Sequence, residues 1–147
     1  MAHYAKLSEN NEVLTVLTLA DKDEQNEAGE TVESLGQAYL EKHNNWPAHL
    51  WKKCSYNTRN GQHLLGGTPF RGNYPAKNFI YDSENDIFKS KQPYASWVFN
   101  STSHQWEPPV APPQTFTTID GKEVPDLYDW NESNQSWDKK PTDYPSI

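Results

Sequence analysis

Residues 81–88 read "YDSENDIF", and the same skeleton returns at residues 99–106, "FNSTSHQW", and at residues 130–137, "WNESNQSW". Each stretch opens on an aromatic residue followed by Asp or Asn and closes on an aromatic seven positions after the first. A further aromatic stands two positions before each opening: Phe79, Trp97 and Tyr128. Aromatics at i and i+2 project from one face of a strand. Asp or Asn starts a turn by accepting a hydrogen bond from the backbone two residues on. The returning strand then sets the closing ring opposite the opening one, where a cross-strand aromatic pair contributes roughly 0.2–1 kcal/mol. The spacing therefore predicts three matched β-hairpins and a mainly β, α+β fold in which aromatic hairpins are joined by long loops.

Two uses of such rings compete. Coplanar exposed tryptophans (Trp97, Trp106, Trp130 and Trp137) would stack on sugars, whereas rings that face inward would replace a missing aliphatic core. The composition favours packing. Leu, Ile, Val and Phe make up 25 of 147 residues, which is few for a self-sufficient core. Six Trp, eight Tyr and five Phe supply the large burial areas instead. A mean hydropathy of −0.98 and eleven prolines complete a lean chain. The expectation is that a partner surface helps to bury its aromatics.

The net charge of −7 argues against a nucleic-acid or anionic-membrane partner, because phosphate recognition needs concentrated Lys and Arg. No stretch is long and apolar enough to span a bilayer. The start, "MAHYAKLSENNEV", has no apolar run of a secretion signal, so synthesis in a cytoplasm is expected. The single Cys54 permits no internal disulfide and fits that compartment. The glycosylation-type triplets at Asn100 and Asn131 are then turn chemistry.

Ahead of the repeats, residues 4–19 read as an N-terminal hairpin whose second arm, "VLTVLTLA", has the composition of a well-buried strand. An acidic loop, residues 21–30, follows. Ser34 and Gln37 have capping-box spacing, Leu35, Ala38 and Tyr39 recur at helical spacing, and Asn44-Asn45 with Pro47 stop the pattern. A short helix over about 35–43 is predicted, locally weakened by Gly36, with a second helical turn within "WPAHLWKK". Residues 55–78 form a long Gly-rich loop with a tight turn at Asn60-Gly61. Loops of that length in a compact domain usually bind something. Tyr56, Arg59, Phe70, Arg71 and Tyr74 are its candidate contact residues. After the second repeat, "EPPVAPPQ" is an extended strap whose Pro108, Pro109, Pro112 and Pro113 join the contact candidates. Asp120-Gly121 then marks a fourth hairpin. The expected division is a core domain at 1–107, a strap at 108–114 and a C-terminal hairpin extension at 115–147.

No catalytic, metal or cofactor pattern emerges. The five histidines show no ligand spacing, "LLGGTPF" lacks the Lys-Ser/Thr of a phosphate loop, and twenty acids make any carboxylate pair uninformative. Cys54 reads as a small buried hydrophobe, although Lys52 and Lys53 would depress its pKa if they faced it.

At "SYNTRNGQH", "RGNYP", "FIYD", "NDIF" and "QPYASWV" the chain resembles a group of small proteins carried by marine tailed bacteriophages, including those of cyanobacteria. The resemblance runs over about residues 1–107, with "SLGQ" before the helix and "NNWP" after it. The chain departs from the group's pattern at Pro75–Asn78 and in its C-terminal part. The resemblance implies a phage origin and no catalytic residues. The leading expectation is a non-enzymatic virion structural protein, a capsid decoration or cement protein stabilised by contact with the particle. A neck, tail or baseplate accessory protein and a carbohydrate-binding host-attachment module are the alternatives. Its partners would be other virion proteins, the major capsid protein first, with self-association as a further option.

Overall fold

The sheet that organises the first half of the chain has β1 (Ala2–Leu7) at its centre, flanked by antiparallel β2 (Val13–Leu19) and β3 (Trp51–Cys54). This computed structural model describes residues 1–141, so the last six residues of the expected 115–147 extension lie outside the described residues. Helix α1 spans Glu33–Asn44. The remaining strands come in pairs: β4 (Thr58–Arg59) with β5 (Gln62–His63), β6 (Ile80–Asp82) with β7 (Ile87–Lys89), and β8 (Val98–Asn100) with β9 (Gln105–Glu107). The last two pairs are β10 (Phe116–Ile119) with β11 (Lys122–Pro125), and β12 (Tyr128–Asn131) with β13 (Ser136–Lys139). The protein is thus mainly β, with one helix and a run of small antiparallel hairpins, as the aromatic repeats predict.

The chain divides into two units, residues 1–91 with 100–105, and residues 92–99 with 106 onward. The tip of the β8–β9 hairpin belongs to the first and its base to the second. In the first unit the sheet carries a core on each face. Ala2, Tyr4, Leu19, Leu40 and Trp51 cluster on the α1 side. Ala5, Leu7, Val13, Leu50 and Cys54 cluster on the other with Tyr81 and Phe88. A bulge where Lys6-Leu7 meets β2 sends both Val13 and Val16 to that second face.

Three local expectations need correction. First, β2 is an edge strand rather than a well-buried one: only Val13 and Leu19 are buried, and among the described residues no further strand of the sheet lies beyond it. Second, α1 begins without the Ser34–Gln37 capping box. Its N-cap is Val32, Ser34 is already inside the helix, and Gln37 donates to the Trp51 carbonyl at 2.6 Å instead. The buried face is Gly36 and Leu40, while Leu35 and Tyr39 are exposed. A Cβ at Gly36 would lie 2.3 Å from the Tyr4 hydroxyl, so the glycine lets the helix close on the sheet. Third, the helical turn in "WPAHLWKK" is a 3-10 turn of three residues, Ala48–Leu50. "WKKC" is strand β3, drawn extended by its pairing with β1 and by burial of Trp51.

The three repeats form the same hairpin. Tyr81 pairs with Phe88 and Trp130 with Trp137. Ring centroids are 5.3 Å apart in the first hairpin, 5.3 Å for Phe99–Trp106 and 5.1 Å in the third. Asp82, Asn100 and Asn131 each accept turn N–H bonds through Oδ1. Four positions later Asp86, His104 and Gln135 adopt φ of 53°, 53° and 48°. Left-handed φ at this position re-enters the strand after a four-residue turn. Asn60-Gly61 and Asp120-Gly121 also turn as expected, with all four residues at positive φ.

Candidate functional site

In the first unit the candidate loop residues divide between fold and surface. Arg71 occupies a left-handed φ of 51° with its side chain only 10% exposed. Its guanidinium grips both Glu33 oxygens at 2.6 and 3.0 Å, donates to the Lys53 carbonyl at 2.8 Å and to Asp86 at 2.8 Å, and lies 4.7 Å from the Phe70 ring. Asp86 also accepts from Tyr81, whose pKa is pushed up to about 12 by burial and by that bond. Arg71 thus ties the loop to the helix start, to β3 and to the first repeat. Its partners Glu33 and Asp86 carried no sequence signal, since they lie 38 and 15 residues away.

Other residues of the resemblance also build the loop. Fully buried Thr58 accepts from Phe70 N–H and, through its carbonyl, from Tyr74 N–H. Asn73 accepts from Asn60 N–H and donates to the carbonyls of Phe88 and His104. What remains on the surface is exposed Tyr56, stacked on His3 at 5.6 Å and edge-on to Tyr74, together with Arg59 and the tip Leu64-Leu65.

Cys54 is buried, and burial raises its thiol pKa to about 12. The neighbouring lysines do not oppose this. Lys53 pairs with Glu24 at 2.8 Å, and Lys52 lies over the Tyr81 ring. Among the described residues no group of His, Cys, Asp and Glu is placed to hold a metal ion, and no helix is long and apolar enough to cross a membrane.

The second unit is built differently. None of its described residues is buried. Trp97, Trp130 and Trp137 meet at interplanar angles of 84°, 60° and 66°, packing on one another rather than forming a coplanar platform. Glu132 braces the cluster: it accepts from Trp130 Nε1 and from the Ser96 hydroxyl and N–H, and these bonds hold its carboxyl below the usual range. Trp106 pairs with Phe99 at a 5.3 Å centroid distance.

Beside this cluster lies a cleft of about 490 Å³ whose lining includes Pro112, Pro113, Phe116, Leu127, Tyr128 and Trp137. Its shape comes from three clamps. Trp137 Nε1 donates to the Val110 carbonyl at 2.7 Å, fastening the strap to β13. Asp126 accepts from the Thr115 and Thr117 hydroxyls, which depress its pKa, and pairs with Lys139. The Thr115 and Tyr128 hydroxyls bond at 2.7 Å. The walls are mainly apolar, and the lining residues Phe116 and Leu127 stand 58% and 59% exposed. The structure therefore brings Trp137 and the strap residues Pro112 and Pro113 into one surface. Pro108 and Pro109 do not line it. Phe116 and Leu127 escaped notice because each is a lone apolar residue among polar neighbours. Compared with protein-family models, curated proteins and solved structures, the chain matches none.

Proposed function

We propose that the protein is a non-enzymatic structural component of a tailed-phage particle, a capsid decoration or cement protein whose second unit docks on another virion protein. The observation that carries this reading is that no described residue of the second unit is buried as a whole, while Phe116 and Leu127 stand exposed at a largely apolar cleft. Isolated two-stranded hairpins are marginal in water, and a partner that covers such a surface stabilises it by mass action. The first unit, with two cores and the Arg71 tie, would be the self-supporting body that the second unit attaches. The phage setting rests on the resemblance at Ser55–Arg59 and Arg71–Tyr74.

The test is a protein census of purified, DNA-emptied virions by mass spectrometry, with copy number. A copy number matching the capsid lattice is expected, whereas absence from the particle overturns the reading. The full chain should also rebind stripped capsids, and Phe116→Ser with Leu127→Ser should abolish rebinding while leaving the first unit's unfolding transition in place.

A further inference from the structure

The two edges of the three-stranded sheet are treated differently. On β3 the outward backbone groups are closed by side chains: Gln37 bonds the Trp51 carbonyl, Glu33 accepts from Lys53 N–H, and Arg71 bonds the Lys53 carbonyl. Since Trp51 and Lys53 face outward, Lys52 and Cys54 bond β1 through Ala5 and His3. Alternation along β1 then directs Tyr4 and Lys6 toward Leu17 and Thr15 of β2. It leaves Val16 and Thr18 with their N–H and C=O pointing away from the sheet.

The start of that edge is covered, because Val13 exchanges bonds with Phe79 and Asn78. Beyond it, neither outward group of Val16 or Thr18 has a hydrogen-bond partner among the described residues. The strand there, "LTVLTL", has high β-propensity and carries no charge, no Pro and no Gly. Its exposed Leu14, Thr15 and Thr18 offer no blocking group. Such an edge is a template for another strand.

We propose that β2 pairs antiparallel with β2 of a second copy, joining the two sheets into one continuous sheet across a two-fold axis. The two open residues fit each other reciprocally. With Leu17 on the axis, Val16 exchanges both backbone bonds with the partner's Thr18, and Thr18 with the partner's Val16. This register keeps clear of the covered end at Val13 and gives the isologous contact that closed dimers use. Charge favours the same choice. The chain carries −7 overall, yet the pairing uses an uncharged stretch, and antiparallel alignment holds the acidic loops that follow β2 at opposite ends. The inference is independent of the second unit's docking.

Sedimentation of the full chain over a dilution series tests it. A mass twice the 16.9 kDa chain that falls to the single chain on dilution is expected. Hydrogen exchange at the Val16 and Thr18 amides should slow as concentration rises. Thr18→Pro removes an outward N–H without taking a bond from the β1 ladder, and Thr18→Lys sets like charges across the seam. Both should halve the mass while retaining the folded circular-dichroism spectrum, and if the proline variant fails to fold, the lysine variant decides. A wild-type protein that stays at chain mass overturns the proposal and leaves the edge to a strand of another protein. Variants that dimerise as the wild type does also overturn it.

Discussion

Arg71 and Glu33 stand 38 residues apart in sequence and meet in a two-pronged ion pair, at 2.6 and 3.0 Å, just where α1 begins. The pair fastens the Gly-rich loop to the sheet, since Arg71 also holds Lys53 and Asp86. Removing one partner strands the other. Arg71→Met should cost about 3 kcal/mol, the lower end for a buried pair because Glu33 is partly solvated. Urea unfolding of Arg71→Met, Glu33→Gln and the double variant should show strong non-additivity; additive losses would mean that the pair does not act as a unit.

The three hairpins share a pattern but not an environment. Phe88 is fully buried in the first unit's core, whereas Trp106, its counterpart in the second repeat, is half-buried. Phe88→Ala should cost about 3–5 kcal/mol, and Trp106→Ala about 1 kcal/mol, the worth of a cross-strand ring pair. Equal losses in thermal melts would count against this division.

Asp82 carries the first repeat's pH dependence. Hydrogen bonds from Lys89 and Asn85 lower its pKa to about 2 in the folded state, against 3.8 for an unperturbed aspartate. A depressed folded pKa contributes stability that is fully present above the unfolded value and is lost as pH falls through the folded one. The loss from this group should fall between pH 4 and 2. Asp82→Asn isolates the charge, because Asn100 and Asn131 start the same turn in the other repeats. The variant should show a shallower fall in stability over that range, and an unchanged slope would assign the acid sensitivity elsewhere.

Gly61 and Gly121 both end two-residue turns at positive φ, 73° and 74°. A Cβ on Gly121 meets nothing within 4 Å, while one on Gly61 would lie 2.4 Å from His104 Cδ2. Gly121→Ala should therefore cost only the backbone strain, about 1 kcal/mol. Gly61→Ala should cost more, because His104 must also move. Chemical denaturation gives both values, and equal costs would show that His104 yields freely.

Much of the local architecture was legible in the sequence. Ring spacing of two and seven, with Asp or Asn after the opening ring, specified three hairpins. Asn60-Gly61 and Asp120-Gly121 specified two turns, and Asn44-Asn45 the helix end, where Asn45 takes the left-handed cap at φ 51°. All of these are short-range effects, set by the φ preferences and hydrogen-bonding reach of a few adjacent residues.

The tertiary structure decided what those elements face. One aromatic pattern yields a core pair at Tyr81–Phe88, packed with Ala5, Leu7 and Val13 of the three-stranded sheet, and half-buried rings at Trp130–Trp137 that pack on Trp97 within the second unit. "VLTVLTL" is an edge because no strand among the described residues pairs beyond it, and Arg71 is an internal tie because Glu33 and Asp86 arrive from distant segments. Burial and partnership depend on contacts far apart in sequence, and no local rule encodes them. Hence the chain's own pattern determined its hairpins, and folding determined which surfaces it leaves open.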